Sequence, residues 1–199
     1  MADPTTVDPS AGLRILAFAG SLRRESLNRR LVAAAEEVAP EGMEVEAFHL
    51  EGIPLYNRDL EAEGMPTRVR DFHRAIDEAD ALLLATPEYQ HGVPGVLKNA
   101  IDWASRPPGE APILKKPVAI MGATPGMWGT ARAQTQLRQS LVYSGCPMVL
   151  KPEVLVAKAN ERFDDSGRLV HEATRNFVRE LLEALADLTR RHATPTQGT

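Results

Sequence analysis

The chain has 199 residues, of which 43% are hydrophobic, and this length and composition predict one globular domain with its own core. The formal net charge of −4, without a separate basic cluster, argues against a nucleic-acid surface. The single cysteine excludes both an intrachain disulfide framework and a thiolate metal cage.

The N-terminal segment has acids and prolines but no basic stretch followed by an apolar one, so no signal peptide is expected. No apolar run approaches the ~20 residues of a membrane span, and a cytoplasmic protein without membrane insertion is predicted. Residues 1–12 and 192–199 are predicted to be disordered tails on a single domain, residues 13–191.

Apolar strands and amphipathic helices alternate through the first half of the chain. The run "LRILAFAG" predicts a strand that ends at Gly20, and "SLNRRLVAAAEEVAP" predicts a helix. "MEVEAFHL" alternates as a strand does, and residues 67–79 have helical periodicity. "ADALLLATP" is apolar throughout, which is typical of a central parallel strand covered on both faces.

The second half continues the same order. Pro94 suits the first turn of a helix, "KPVAIMGA" predicts a fourth strand, and residues 130–143 a further helix. "CPMVLKPEVLVA" predicts a fifth strand interrupted by Pro152, and a last helix is expected near residues 172–191. The apolar stripe of that helix is predicted at Phe177, Leu181, Leu185 and Leu188. Five βα units predict a doubly wound, five-stranded parallel sheet with helices on both faces.

In such a sheet the ligand binds beyond the carboxyl ends of the strands, so the loops after strands one, three and four are the expected binding loops. The first, "AGSLRRESLNRR", has neither the dinucleotide fingerprint nor the P-loop motif. Hydroxyls, arginines and free N–H groups at a helix start favour phosphate binding. These donors are Ser21, Arg23, Arg24, Ser26 and Asn28. An alternative remains open in which Ser26 is only the N-cap and the arginines form a solvated face.

The other two loops carry the remaining candidates. "ATPEYQHGVPGVLKNAIDW" gathers an acid, a phenol, an amide and an imidazole after strand three. "MGATPGMWGTARAQTQLRQ" follows strand four, and its glycines, Gly122, Gly126 and Gly129, allow the main chain to approach a flat ligand closely.

Together, "GSLRRESLNRRL", "PEYQHGVPGVLKNAIDW" and "GATPGMWGTARAQTQLRQ" resemble the NADPH-dependent FMN reductases of flavodoxin-like fold, a group that includes quinone, azo-dye and chromate reductases. The resemblance covers about residues 13–156. It implies that the FMN phosphate is held by Ser21, Arg23, Ser26, Leu27 and Asn28. It implies that the flavin ring is lined by Pro87, Glu88, Tyr89 and Gln90, and by Thr124, Gly126 and Gly129. The family usually has asparagine where Gln90 stands and often glycine where Thr130 stands. Trp128 is larger than expected, and it would either narrow the substrate entrance or stack on the substrate.

The resemblance also implies an activity. Hydride would pass from NADPH or NADH through bound FMN to a small-molecule acceptor (quinone, flavin, azo dye or chromate) with ping-pong kinetics. Because the flavin carries the chemistry, no catalytic side chain and no metal are expected. The alternative is a flavodoxin-type electron carrier, or an FMN-binding redox sensor, without reductase activity of its own.

The resemblance implies a homodimer or homotetramer as well. The helix "PGVLKNAIDWASRP" mixes apolar residues with Lys98, Asn99, Asp102 and Trp103, which favours a subunit interface. The alternative is an ordinary amphipathic helix that covers the sheet.

Three kinds of residue have plainer interpretations. Tyr89 is either a flavin contact or simple packing, and His91 is expected to be a turn residue near the rim. His49, His73, His171 and His192 have no metal-ligand spacing. Cys146 is predicted to be a small buried hydrophobe.

Overall fold

The computed structural model describes residues 12–193 of the chain, and five strands in them form one parallel sheet. The strands are β1 (Leu13–Ala19), β2 (Met43–Phe48), β3 (Ala81–Ala85), β4 (Val118–Ala123) and β5 (Val154–Val156). Their order is β2-β1-β3-β4-β5, and every neighbouring pair is parallel. The predicted flavodoxin-like, doubly wound sheet is confirmed.

The described residues form six α-helices, of which five cover the two faces of the sheet. They are α1 (Leu27–Val38), α2 (Arg58–Ala62), α3 (Thr67–Glu78), α4 (Gly95–Ala104), α5 (Ala131–Val142) and α6 (Glu172–Ala193). Side chains of α1 and α6 pack on one face, and side chains of α3, α4 and α5 pack on the other. β3 is buried on both sides, because Leu83 faces the first layer while Leu82 and Leu84 face the second. Burial on both faces explains why the sequence of β3 is apolar throughout.

The structure differs from the sequence prediction at two elements. The fifth strand is restricted to Val154–Val156, and the preceding segment joins the sheet only at a bridge between Met148 and Val118. Pro147 and Pro152 interrupt this segment, and proline cannot donate a ladder hydrogen bond. The loop after β2 contains the unpredicted helix α2, whose N-cap Asn57 accepts a hydrogen bond from the N–H of Asp59 at 2.9 Å.

The buried face of α6 also differs from its prediction. Phe177 is 52% exposed, whereas Val178 is fully buried. Each step of four residues, as from Phe177 to Leu181 and from Leu181 to Leu185, turns about 40° more than one full turn of the helix. Phe177 therefore lies beyond the edge of the buried face, whereas Val178 lies within it. The face turned to the sheet includes Leu181, Leu182 and Leu185.

The tail predictions fall mostly on residues 1–11 and 194–199, which lie outside the described residues. α6 continues to Ala193, so residues 192 and 193 belong to the helix. The division into one domain and two tails stays a prediction.

Strand order reverses between β1 and β3, because the chain moves from β1 to β2 on one side and then returns to place β3 on the other. This reversal opens a crevice at the carboxyl ends of the two strands, and ligands of such folds bind there.

Candidate functional site

An open cleft of about 420 Å³ lies where the loops after β1, β3 and β4 meet. Nine of the twelve residues expected at the site line it: Ser21, Arg23, Ser26, Leu27, Asn28, Pro87, Glu88, Tyr89 and Thr124. Gln90, Gly126 and Gly129 lie on the same loops but do not line the cleft. The topology thus brings together three segments that are far apart in the sequence.

The first loop presents hydroxyls and a cation at the start of α1. Ser21 and Ser26 are buried, and the Ser26 hydroxyl accepts a hydrogen bond from the N–H of Arg29 at 3.4 Å, so Ser26 is the N-cap of α1. The guanidinium groups of Arg23 and Arg24 have no ion-pair partner among residues 12–193. Ser26 therefore caps the helix as the plainer interpretation holds, while the arginine charge stays uncompensated beside the helix N-terminus.

Asn28 connects the first loop to the third. Its buried side-chain amide donates to the carbonyl of Ala123 at 2.9 Å and accepts from the N–H of Ala123 at 2.9 Å. One N–H of the amide is left for a ligand. Asn28 was expected only to contact the phosphate, and the structure shows that it also joins the first loop to the third.

The second loop forms a tight two-residue turn. Tyr89 and Gly92 exchange two backbone hydrogen bonds, at 3.2 and 2.9 Å, across Gln90 and His91. Gln90 and His91 have φ of 48° and 62°, in the left-handed region that asparagine and glycine adopt more easily than glutamine. The preference for asparagine at position 90 therefore has a backbone explanation that does not need a ligand contact.

Glu88 caps a helix on the neighbouring loop. Its Oε2 accepts from the N–H groups of Arg132 and Ala133, at 3.0 and 3.1 Å, in the first turn of α5. The N-cap residue of α5, Thr130, is itself left-handed (φ 67°) and makes no side-chain cap. A carboxylate at a helix N-terminus is stabilised by the helix dipole. The Glu88 carboxylate is therefore directed to α5, which fixes the second loop against the third.

Two of the three glycines predicted in the third loop are needed for internal packing and not for the approach of a ligand. A Cβ on Gly129 (φ 54°) would lie 2.6 Å from the carbonyl carbon of Leu155, and a Cβ on Gly122 would lie 2.5 Å from the carbonyl oxygen of Thr86. Both glycines are required by internal packing. Gly126 is less crowded, since the nearest atom to its Cβ would be the Thr124 hydroxyl at 3.7 Å. Of these three glycines, only Gly126 has room for a Cβ.

Three large side chains are exposed on the second and third loops. Tyr89 is 54% exposed, which speaks against simple packing, and Met127 and Trp128 are 66% and 65% exposed. The Arg132 guanidinium lies 4.5 Å from the centre of the Trp128 ring. Its Nη1 lies 3.7 Å from Oε1 of Glu88.

Histidine and cysteine side chains take no part in the cleft. His91 is largely exposed and its Nδ1 lies 4.0 Å from Oε1 of Glu88. Among residues 12–193, no cluster of three histidine, cysteine or carboxylate side chains could hold a metal ion. Burial raises the pKa of the Cys146 thiol to about 11, and Cys146 is confirmed as a buried residue.

The expected interface on α4 is partly an internal contact. Asn99 and Trp103 both donate to the carbonyl of Pro54, at 2.9 and 2.8 Å, and Asn99 accepts from the N–H of Tyr56 at 2.7 Å. Trp103 is fully buried. Of the four residues named for the interface, these two hold the loop after β2 instead.

Five residues that line the cleft were missed in the sequence: Glu25, Arg30, Ala123, Pro125 and Asn160. Asn160 belongs to a 3-10 helix after β5, and Glu25 and Arg30 form an ion pair beside the first loop. The loop after β5 also begins at the carboxyl end of a strand, where ligands of such sheets bind, and this rule could have identified Asn160 as a candidate.

The chain is similar in sequence to a family of known enzymes. The family model described as NADPH-dependent FMN reductase matches residues 13–161. A NAD(P)H-dependent FMN reductase of Pseudomonas aeruginosa is 47% identical over 182 residues, which cover 92% of this chain and 98% of the relative. A 2-hydroxy-1,4-benzoquinone reductase of a Burkholderia species is 39% identical over 174 residues, which cover 87% of this chain and 94% of the relative.

A solved structure extends the likeness to three dimensions. A flavoenzyme NAD(P)H:(acceptor) oxidoreductase of Paracoccus denitrificans has a TM-score of 0.82 and 35% sequence identity, over 90% of this chain and 98% of its own.

Proposed function

Because the chain belongs to the NADPH-dependent FMN reductase family, we propose that it passes hydride from NAD(P)H to quinones or similar flat acceptors, with FMN as its cofactor. The observation that carries this proposal is the cleft at the carboxyl ends of β1, β3 and β4, which nine of the expected FMN-site residues line. Names of relatives that include a benzoquinone reductase support the acceptor class.

The donors around the first loop fit the phosphate of FMN. The guanidinium of Arg23 has no ion-pair partner among the described residues, and the Ser21 and Ser26 hydroxyls lie beside the free N–H groups at the start of α1. Charge-assisted hydrogen bonds and a helix N-terminus are a common combination at phosphate sites. In this proposal Ser21, Arg23, Ser26 and the backbone at Leu27 hold the phosphate.

The other two loops fit the ring of FMN. Pro87, Tyr89 and Thr124 line the cleft and are proposed to contact the ring directly. Asn28 and Glu88 are proposed to act mainly by position, since their polar atoms fix the three loops against each other. Contacts from Gln90, Gly126 and Gly129 are proposed through the backbone of their loops.

Bound FMN supplies the hydride chemistry, so no side chain of this chain needs to act as acid, base or nucleophile. The cleft is open on one side, and NAD(P)H and the acceptor are proposed to occupy that side in turn. We therefore expect ping-pong kinetics. The exposed Tyr89 and the anchored third loop exclude water from part of the ring edge in this proposal.

The test has two parts. FMN added to flavin-free protein should bind with a stoichiometry of one per chain, and steady-state rates at several acceptor concentrations should give parallel double-reciprocal lines. Intersecting lines would contradict the ping-pong scheme. Tight FMN binding without NAD(P)H oxidation would favour the electron-carrier alternative.

Two further properties belong to the proposal. None of the helices among residues 12–193 is long and apolar enough to span a membrane, and a cytoplasmic location is proposed. A homodimer or homotetramer is proposed as well, supported by large exposed apolar residues such as Tyr143 (94% exposed) and Leu150 (70%). Light scattering on the purified protein would determine the number of chains.

A further inference from the structure

Two large apolar residues lie side by side at the tip of the third loop. Met127 and Trp128 are 66% and 65% exposed, although a polar pair would cost less there. The tip is anchored on both sides. The N–H of Lys158 donates to the carbonyl of Gly126 at 2.9 Å, and Gly129 packs directly on the backbone of Leu155. Met127 and Trp128 are therefore exposed on a loop tip whose backbone is held in place on both sides.

Trp128 is also held from one side. The Arg132 guanidinium lies over its ring, with 4.5 Å between the guanidinium carbon and the ring centre. Arg132 is itself fixed by Glu88, whose Oε1 lies 3.7 Å from Nη1 and whose Oε2 accepts the Arg132 backbone N–H at 3.0 Å. A planar guanidinium that stacks on an aromatic face orients the ring, which a lysine does less well.

Trp128 does not itself line the cleft, but it is linked through Arg132 to Glu88, which does. Glu88, which fixes Arg132, lines the cleft, and so do Thr124 and Pro125 on the same loop as Trp128. One face of the indole is covered by Arg132, while most of the side chain is still exposed. An indole with one face free stacks well on flat rings, and electron-poor rings suit its electron-rich surface.

We propose that Trp128 is the specificity-determining residue for flat, ring-shaped electron acceptors, and that Arg132 is a positioning residue that holds Trp128 in place. The inference rests on the proposed reductase function and deepens it. Trp128 stacks on the acceptor ring at the cleft rim, so ring-shaped acceptors gain affinity that compact inorganic acceptors do not.

The test compares two acceptors on FMN-loaded protein. Menadione has a flat quinone ring, and ferricyanide has none. For Trp128→Ala, the ratio of kcat/KM for menadione to kcat/KM for ferricyanide should fall about tenfold, mainly through the KM for menadione. Trp128→Phe should keep most of the ratio. Phe177→Ala is the control, because it removes an aromatic residue that is also about half exposed (52%) but lies on α6 and does not line the cleft.

Variants at position 132 test the positioning role. Arg132→Met should raise the KM for menadione about threefold without changing kcat, and Arg132→Lys should restore only part of the loss. In the double variant with Trp128→Ala, Arg132→Met should add nothing. Independent effects at the two positions would contradict the positioning role.

Three outcomes for Trp128→Ala would overturn the inference. An unchanged acceptor ratio would show that Trp128 does not select the acceptor, and faster menadione turnover would show that it obstructs the entrance. A change in the number of chains per particle would assign the loop tip to a subunit contact. Reduction of bound FMN by NADPH without any acceptor is measured first on the unmodified protein. Its failure would contradict the proposed function itself, whatever the Trp128 variants do.

Discussion

The side-chain amide of Asn28 and the backbone of Ala123 form a reciprocal pair, with two hydrogen bonds of 2.9 Å between residues that are 95 positions apart. The pair joins the start of α1 to the end of β4, and both residues line the cleft. A second connection of this kind joins Glu88 to the first turn of α5. The three loops of the site are thus fixed against each other by side chains before any ligand is considered.

Removal of the Asn28 amide should destabilise the protein. Asn28→Ala leaves the buried N–H and carbonyl of Ala123 without their partners, and we expect the free energy of unfolding to fall by about 2 kcal/mol. Urea denaturation measures this. Asn28→Asp keeps the acceptor but adds a negative charge beside the proposed phosphate site, so it should weaken FMN binding more than Asn28→Ala does. Unchanged stability of both variants would show that the pair is dispensable.

Arg23 should contribute to FMN affinity and little to turnover. Arg23→Ala removes an uncompensated guanidinium from the cleft, and the binding free energy of FMN should weaken by about 1.5–3 kcal/mol. Fluorescence titration of the flavin-free protein measures the affinity, and the rate at saturating FMN should stay near normal. Arg24→Ala is the control, since Arg24 does not line the cleft. Equal effects of the two variants would contradict a specific phosphate contact.

Glu88 should stabilise the start of α5. Glu88→Ala removes the acceptor of two backbone hydrogen bonds, and the expected loss is about 1–2 kcal/mol, as for an N-cap residue. Glu88→Gln keeps an oxygen acceptor but loses the charge that the helix dipole favours, so a smaller loss is expected. Thermal unfolding followed by circular dichroism compares them. A larger loss for glutamine than for alanine would be inconsistent with a capping role.

The left-handed backbone at position 90 should favour asparagine. Gln90→Asn should raise the free energy of unfolding by about 0.5 kcal/mol, because asparagine adopts positive φ at a lower cost. FMN affinity should change little, since Gln90 does not line the cleft. A large gain in FMN affinity would instead indicate that the asparagine amide contacts the ring.

Cys146 should make the stability depend on alkaline pH. Burial raises the thiol pKa from 9.0 to about 11, so between these values the unfolded chain loses a proton that the folded chain keeps. The free energy of unfolding should therefore fall as pH rises through this range. The same measurement on Cys146→Ala should lack this part of the decline. An identical pH dependence in the two proteins would contradict a raised pKa.

The sequence was sufficient for the sheet and for most of the cleft lining. Continuous apolar runs such as β3 indicate strands buried on both faces, and the topology of parallel sheets then states which loops meet. The topology predicted the three loops, the resemblance to the family predicted the individual residues on them, and nine of those residues line the cleft. The prediction was weakest where proline interrupted a pattern, as in the segment before β5.

The roles of individual side chains were harder to predict. Glu88 supplies the cap of α5 that the left-handed Thr130 does not, and neither fact is visible in a local pattern. Likewise, Gly129 is required by the backbone of Leu155, which is distant in the sequence. Contacts between loops decide both cases, and a single sequence contains no direct signal of them.

The most direct test of the central claim is anaerobic mixing of the FMN-loaded protein with NADPH while the visible flavin band is recorded. The account predicts that the band bleaches within seconds and returns when a quinone is added. A protein that binds no FMN, or that keeps its yellow colour in excess NADPH and excess NADH, would contradict it.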